Sequence, residues 1–362
     1  MTTMSTHAAP HEGERPAPGL RPRATMRDVA ALAGVGIKTV SRVVNGEPGV
    51  APATAERVSR AAQELSFQVD MVAGNLRRTG RRTRSIGLVL ASVDNPFAAA
   101  IHRAVEDVAE ARGVAVFSAS TDEHPDRERA LVEAFTSRRV DGLILTSTGV
   151  DQRYLLRELE AGTPIVAIDR PAVGIDVDTV VADNVEGARH AVEHLVGSGH
   201  RRIAFMGDLA TIATAVQRLE GFRQAMAGAD IPVDESLVVE DLHDEESAFK
   251  AAMELLMRSV RPTAIFASQN LITIGVFRAL RTLGVHHSIA LVGFDDFSLA
   301  DLLDPPVTVV AQDPFAIGRA AAERLFGRMT DGAFPPQRIV VPTRLVVRGS
   351  GEIRPPVARG NG

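Results

Sequence analysis

The order of apolar and polar positions in residues 25–46 predicts two short helices joined by a tight turn. Thr25 and Asp28 are three positions apart, as in a capping box that uses Asp instead of the usual Glu, and Gly34 marks the end of the first helix. The second helix has one apolar side, while its other side carries a cation and short hydroxyl groups: Lys38, Thr39, Ser41 and Arg42. Such a face suits the phosphates and base edges of a DNA major groove, although an ordinary helical hairpin would show a similar pattern.

A third helix is predicted directly after this pair. Pro52 suits the first turn of a helix over residues 53–65, in which apolar residues recur at helical spacing. A three-helix unit with a charged second helix is more specific than a hairpin, and it favours DNA binding.

From Arg84 onward, short apolar runs alternate with amphipathic helical stretches. Continuous apolar runs between helices are typical of parallel strands that are buried on both faces. About nine such runs are more than one sheet accommodates comfortably, so we expect an α/β fold with two lobes of doubly wound parallel sheets. Binding sites in such sheets lie beyond the carboxyl ends of the strands. This rule directs attention to four polar residues that follow the runs: Asn95, Asp169, Asp208 and Asp295.

Charge is distributed unevenly along the chain. Of its 40 basic and 45 acidic residues, 13 and 7 fall within residues 1–84, so this part carries a net charge of +6 and the remainder −11. A basic head on an acidic body fits a protein that touches nucleic acid with one end only. Because the chain has no cysteine, a disulfide framework and cysteine-based metal sites are excluded.

The first 23 residues are rich in Pro, Gly, Ala and charge and contain no apolar segment of the signal-peptide type. We expect a disordered arm there. No run approaches the roughly 18 apolar residues that a membrane span requires. We therefore expect a soluble cytoplasmic protein that associates with the nucleoid and has no membrane partner.

The helical segment DVAALAGVGIKTVSRVVNG resembles the DNA-binding headpiece of the LacI/GalR family of bacterial repressors. The segments IGLVLASVDNPF, DGLILTS, PIVAIDRP, RLEGF and IALVGFDD resemble that family's effector-binding core, which is similar to periplasmic sugar-binding proteins. The resemblance covers residues 25 to about 352. It implies the following division: an arm (1–23), a helix-turn-helix domain (24–67), a hinge (68–83), a two-lobed core for effector binding and dimerisation (84–352) and a disordered tail (353–362). Lobe 1 would use about 84–169 plus 311–334, and lobe 2 about 170–310 plus 335–352.

The resemblance also implies how the head meets DNA. Bases would be read by Ile37, Lys38 and Arg42, and the remaining DNA contacts would come from Thr25, Thr39, Ser41, Asn45, Ala73 and Leu76. Leu76 matches a leucine that family members insert into the minor groove. The hinge departs from the family because Val69-Asp70 replaces the usual Pro-Asn. The expected partners are a pseudo-palindromic double-stranded operator and a second copy of the chain, with tetramers left open.

In the core, the resemblance implies an effector pocket between the lobes. Phe97 would stack on a ring face, and Asp169, Arg218 and Asp295 would bond the polar edges of a sugar or nucleoside-like metabolite. Further expected contacts are Asn95, Thr214, His243 and Gln269. Two departures leave the effector's identity and the sign of its effect open: Asn270 stands where the family often has Asp, and His243 where an aromatic residue is common.

Two alternatives compete with this hypothesis. His190 and His194 match the H-x-x-E-H pattern of inverted zinc proteases, but the helix DNVEGARHAVEHL that contains them is accounted for by the repressor resemblance. A solute-binding protein of the periplasmic type would explain the core and not the head. Since the chain shows no Walker A loop and no nucleophile elbow, we expect no catalysis, no metal and no cofactor.

Overall fold

The computed structural model describes residues 24–44, 47–67, 82–149, 151–331 and 334–356. These form two compact units, with the boundary between Arg81 and Arg82. The expected DNA contacts Asn45, Ala73 and Leu76 lie outside the described residues.

The first unit contains the three predicted helices, α1 (Met26–Ala33), α2 (Ile37–Val44) and α3 (Pro52–Glu64). The capping box at the start of α1 is present, because the Thr25 side chain accepts a hydrogen bond from the Asp28 amide and the Asp28 carboxylate accepts one from the Thr25 amide. Gly34 ends α1 in the left-handed conformation, at φ 64°. Each helix contributes one fully buried valine to the small core: Val29, Val40 and Val58.

The second unit contains eight α-helices, three short 3₁₀ helices and twelve strands among its described residues. The strands are β1 (Ser85–Leu90), β2 (Ala115–Ser120), β3 (Leu143–Leu145), β4 (Ile165–Ile168), β5 (Asp178–Ala182), β6 (Ile203–Met206), β7 (Val238–Val239), β8 (Ala264–Ala267), β9 (Ala290–Phe294), β10 (Thr308–Ala311), β11 (Arg338–Val341) and β12 (Arg344–Val346). The helices are α4 (Pro96–Glu110), α5 (Pro125–Ser137), α6 (Leu156–Glu160), α7 (Asn184–Gly197), α8 (Ala213–Gly228), α9 (Glu245–Leu256), α10 (Asn270–Thr282) and α11 (Pro314–Asp331).

The strands form two six-stranded sheets, each at the centre of one lobe. The first sheet has the order β11-β5-β4-β3-β1-β2 and is entirely parallel. The second has the order β12-β10-β9-β8-β6-β7, in which β12 alone runs antiparallel to its neighbour. Helices cover both faces of each sheet, which explains why most of the strands are apolar along their whole length.

The lobe boundaries predicted from sequence are wrong in two places. Residues 170–182 and 335–341 belong to lobe 1, because β5 pairs with β4 and β11 pairs with β5 in the first sheet. The chain therefore crosses between the lobes after β5, after β10 and after β11. Such pairings join segments that are far apart in sequence, so the local apolar pattern does not reveal them.

The outer limits of the core also differ from the prediction. Thr83, assigned to the hinge, donates its backbone N–H to the Asp141 carboxylate at 2.7 Å and belongs to the second unit. Residues 353–356, assigned to a disordered tail, are described, and the carbonyl oxygen of Ile353 accepts a hydrogen bond from His200 Nε2 at 2.7 Å. Residues 357–362 lie outside the described part of the chain.

Close helix packing explains one glycine of the RLEGF segment. A Cβ added to Gly221 on α8 would lie 2.2 Å from the carbonyl oxygen of Val185 on α7. The two helices therefore approach more closely than any larger residue allows.

Candidate functional site

A cleft of about 230 Å³ lies between the two lobes, at the carboxyl ends of the strands. It is bordered by all eight residues that were predicted as ligand contacts: Asn95, Phe97, Asp169, Thr214, Arg218, His243, Gln269 and Asp295. Their spacing in sequence, from 95 to 295, shows that the fold brings distant segments to one place.

Arg218 on α8 is fixed by several contacts within lobe 2. Its Nε donates to Asn184 Oδ1 at 2.9 Å, and its Nη1 donates to the Ser268 carbonyl oxygen at 2.7 Å. The guanidinium stacks over the Phe294 ring at 3.8 Å and lies 3.6 Å from the Asp295 carboxylate. Arg218 is therefore held in one orientation beside a buried carboxylate before any ligand arrives.

Two aspartates face the cleft from opposite lobes, Asp295 buried and Asp169 largely buried. Asp169 follows β4 and Asp295 follows β9, and burial raises the pKa of each carboxyl group. Arg170 and then Arg218 oppose the rise in pKa at Asp169, and Arg218 opposes it at Asp295, without cancelling it. Both groups would be stabilised in the charged form by a ligand that donates hydrogen bonds.

The lobe 1 wall contains an ion pair that the sequence prediction missed. Arg170 donates from both terminal nitrogens to the two carboxylate oxygens of Glu123, at 2.7 and 2.8 Å, and its Nε lies 3.5 Å from Asp169. A signal for both residues was present, since Arg170 stands inside the segment PIVAIDRP and Glu123 follows the second apolar run. Their pairing across 47 positions was not visible.

Asp208 organises the lobe 2 wall. Its carboxylate accepts hydrogen bonds from His243 Nδ1 at 2.8 Å and from Gln269 Nε2 at 3.0 Å. The hydrogen bond to Asp208 raises the pKa of His243. The strand-end rule directs attention to Asp208, which the family resemblance does not include among the expected ligand contacts.

A pair of amides joins the two lobes beside the cleft. Asn95 Nδ2 donates to Asn270 Oδ1 at 3.4 Å, and Asn270 Nδ2 donates to Asn95 Oδ1 at 3.0 Å. Asn95 also caps α4 by accepting a hydrogen bond from the Phe97 amide at 3.0 Å. The departure from the family at position 270 thus takes part in the contact between the lobes.

In the first unit, the predicted base-reading residues lie on the surface of α2. Ile37 is 46 % exposed although it is apolar, and Lys38 and Arg42 are exposed as well. Arg42 Nε lies 3.9 Å from the Glu47 carboxylate. Thr25 is exposed at the start of α1, whereas Thr39 and Ser41 are half-buried.

Comparison with known families decides between the alternatives. A model described as "Bacterial regulatory proteins, lacI family" matches residues 25–70, and one described as "Periplasmic binding proteins and sugar binding domain of LacI family" matches residues 83–348. The chain belongs to the LacI family. Because the family match includes the head, the comparisons favour a regulator over a solute-binding protein.

Relatives in the LacI family match nearly the whole chain. The HTH-type transcriptional regulator CelR of Thermobifida fusca is 37 % identical over 91 % of this chain and 99 % of its own length. A structure of a CelR–cellobiose complex has a TM-score of 0.67 at 35 % identity, covering 91 % of this chain and 100 % of that one. A lac repressor dimer bound to operator and the anti-inducer ONPF has a TM-score of 0.79 at 26 % identity, covering 91 % and 99 %.

The two histidines of the zinc-protease pattern contact different carboxylates. His190 Nε2 lies 3.0 Å from Glu186, and His194 Nε2 lies 2.9 Å from Glu352. Across the described ranges, no group of three or more His, Asp or Glu side chains is arranged to hold a metal ion. In the same ranges, no helix is both long and apolar enough to cross a membrane.

Proposed function

We propose that this LacI-family chain is a transcriptional repressor that binds a pseudo-palindromic operator as a homodimer. Its operator affinity is controlled by a sugar or sugar-like metabolite in the cleft between the lobes. The observation that carries the proposal is the coexistence of a three-helix head, with an exposed basic second helix, and a polar cleft between two α/β lobes.

The DNA contacts are assigned to α2 and to the start of α1. On α2, Ile37, Lys38 and Arg42 are the base-reading residues, while Thr39 and Ser41, together with Thr25 at the start of α1, contact the backbone of the duplex. The exposure of Lys38 and Arg42 supports this assignment, since base contacts in the major groove require side chains that no other part of the head covers. The relative that was solved on its operator is a dimer, and this supports the homodimer.

The effector contacts are assigned to the eight predicted cleft residues together with Glu123, Arg170 and Asp208. A cleft of buried carboxylates, fixed arginines and amides suits a ligand with several hydroxyl groups. The CelR–cellobiose complex supports a saccharide.

The regulatory step is a change in the closure of the two lobes around the ligand. In a dimer, the chain of each subunit enters lobe 1 at Arg82. Closure of the lobes changes the distance between these two entry points. Because coupling is reciprocal, a ligand that weakens operator binding is itself bound more weakly by the operator complex, by the same factor.

The proposal places the protein in the cytoplasm, on the nucleoid, and assigns it no enzymatic activity. Named relatives that are regulators support both points.

The proposal is tested by selecting the full-length protein on random double-stranded DNA, followed by a thermal-shift screen of neutral sugars, nucleosides and small carboxylates. A single enriched pseudo-palindrome, together with a cleft ligand that changes its affinity, is expected. Failure to enrich any sequence would reject the function.

A further inference from the structure

The cations of the cleft are already paired within the protein. Arg170 pairs with Glu123, Arg218 with Asp295 and His243 with Asp208. Arg218 uses further N–H groups on Asn184 and on the Ser268 carbonyl oxygen. A ligand that enters this cleft therefore finds most of these cationic donors engaged. Arg170 Nε is an exception, since it has no hydrogen-bond partner and lies 3.5 Å from the Asp169 carboxylate.

The acceptors of the cleft are different, because two of them have no donor. Among the described residues, none donates a hydrogen bond to the Asp169 carboxylate, whose nearest cation is Arg170 Nε at 3.5 Å. The Gln269 side chain, only 8 % exposed, commits its Nε2 to Asp208 and leaves Oε1 without a partner. A buried acceptor without a donor is costly, so Gln269 Oε1 favours a ligand that donates a hydrogen bond. The partly buried carboxylate of Asp169 is open to a donor from the same ligand.

The formal charges point the same way. Two arginines and one histidine border the cleft and are outnumbered by six carboxylates. The carboxylates are those of Asp94, Glu123, Asp169, Asp208, Asp244 and Asp295. Asp169 and Asp295 repel each other across the cleft, which adds to the effect of burial on the pKa of Asp169. A positive ligand would reduce this repulsion, whereas a phosphate or carboxylate would increase it.

We propose that the effector carries a protonated amine, as an amino-bearing saccharide does, and that Asp169 and Gln269 accept hydrogen bonds from it. This inference rests on the proposed function, since it takes the cleft as the effector site. An ammonium group supplies three donors and no acceptor, which matches the two unpartnered acceptors and the negative excess.

The test compares matched ligands by isothermal titration calorimetry on the full-length protein. One set is glucosamine, glucose, N-acetylglucosamine and glucose 6-phosphate, and the other is the chitosan disaccharide, cellobiose and N,N′-diacetylchitobiose. The amine of at least one set should bind at least about tenfold more tightly than its hydroxyl and acetamido counterparts, the ratio expected for one additional charge-assisted hydrogen bond.

Variants identify the side chain that is responsible for the preference for an amine. Asp169→Asn should bring the ratio of the amine's affinity to the hydroxyl ligand's affinity close to one, and Gln269→Met should lower this ratio in part. Asp230→Asn is the matched control, because Asp230 is exposed on a left-handed turn after α8, a conformation that Asn tolerates. It should leave the ratio unchanged.

The inference is overturned if the hydroxyl, acetamido or phosphate member of each set binds as tightly as the amine, or if neither amine binds. Operator binding by the same preparation separates this result from failure of the proposed function. A protein that binds its selected operator but shows no amine preference remains a repressor with a different effector.

Discussion

Asp169 and Asp295 occupy equivalent positions in the two lobes. Asp169 directly follows β4 and Asp295 directly follows β9, which are the third strands from the β11 edge and the β12 edge of their sheets. Both residues have a left-handed backbone, with φ of 67° and 68°. The Asp169 amide donates to the Val180 carbonyl oxygen and the Asp295 amide to the Val310 carbonyl oxygen, both at 2.8 Å, so each is tied to the next strand in the same way. The repeated architecture thus brings one carboxylate from each lobe into a single cleft.

Asp is one of the few residues that adopts the left-handed conformation readily. The backbone at both positions therefore favours the residue that the cleft uses. The two carboxylates are the central ligand contacts that we propose. Arg218 lies beside Asp295 and opposes the rise in the pKa of both carboxyl groups.

Removal of Arg218 should therefore destabilise lobe 2. Arg218→Met leaves Asp295 buried without its cation, which should lower the free energy of unfolding by about 3–5 kcal/mol. Urea titration followed by circular dichroism measures the change. Arg223→Met, on the same helix but in an exposed pair with Glu235, should cost less than about 1 kcal/mol. Equal losses for the two variants would contradict the role of Arg218.

His243 should make stability depend on pH. Its pKa is raised in the folded state by the hydrogen bond to Asp208, so its stabilisation is complete below the unfolded value of 6.5 and is lost as the pH rises through the folded value. His243→Gln should therefore lower the melting temperature most at about pH 5.5 and least at about pH 8.5. A difference that stays constant over this range would show that the imidazole charge contributes nothing.

The amide pair of Asn95 and Asn270 should bias the lobes toward closure. Asn270→Leu removes both hydrogen bonds between the lobes, each with a net value of about 0.5–1.5 kcal/mol. The ligand-free variant should show a larger radius of gyration by small-angle scattering and faster hydrogen exchange at the cleft. Gln224→Leu, which removes a hydrogen bond within lobe 2, is the control. Unchanged scattering would contradict a latch between Asn95 and Asn270.

Much of the fold was predictable because local patterns determine it. The apolar runs of the sequence correspond to β1 to β9, and helices lie between most of them, with Pro96 and Pro125 in the first turns of α4 and α5. The last strands and α11 were not identified. Membership of β5 and β11 in the first sheet depends on pairing between distant segments, which periodicity does not encode.

The candidate site was predictable to a similar extent. Strand-end positions and family motifs led to the residues that border the cleft, because both concern single segments. The bidentate bond of Arg170 to Glu123 and the double role of Asp208 depend on loops that meet only in the folded chain. The unpartnered Oε1 of Gln269 could not be predicted either, because it depends on the hydrogen bond that Nε2 of the same side chain donates to Asp208.

Arg42 is one of the three residues to which we assign base recognition. Arg42→Ala should reduce affinity for the selected operator by roughly tenfold to a hundredfold while affinity for random DNA changes little, because one base contact is lost. Arg60→Ala, which removes an exposed cation from α3 of the same unit, controls for the loss of charge. Gel filtration should show the same oligomer for both variants. A uniform loss on all DNA would assign Arg42 to phosphate contact instead.

The central claim is that one chain recognises an operator through α2 and senses a ligand through the cleft. The most direct measurement is fluorescence anisotropy of the selected operator, titrated with full-length protein with and without the ligand identified in the cleft. We predict that the ligand changes the operator dissociation constant of the wild type and leaves that of Asp169→Asn unchanged. Identical operator affinity of the wild type with and without a bound cleft ligand would contradict the account.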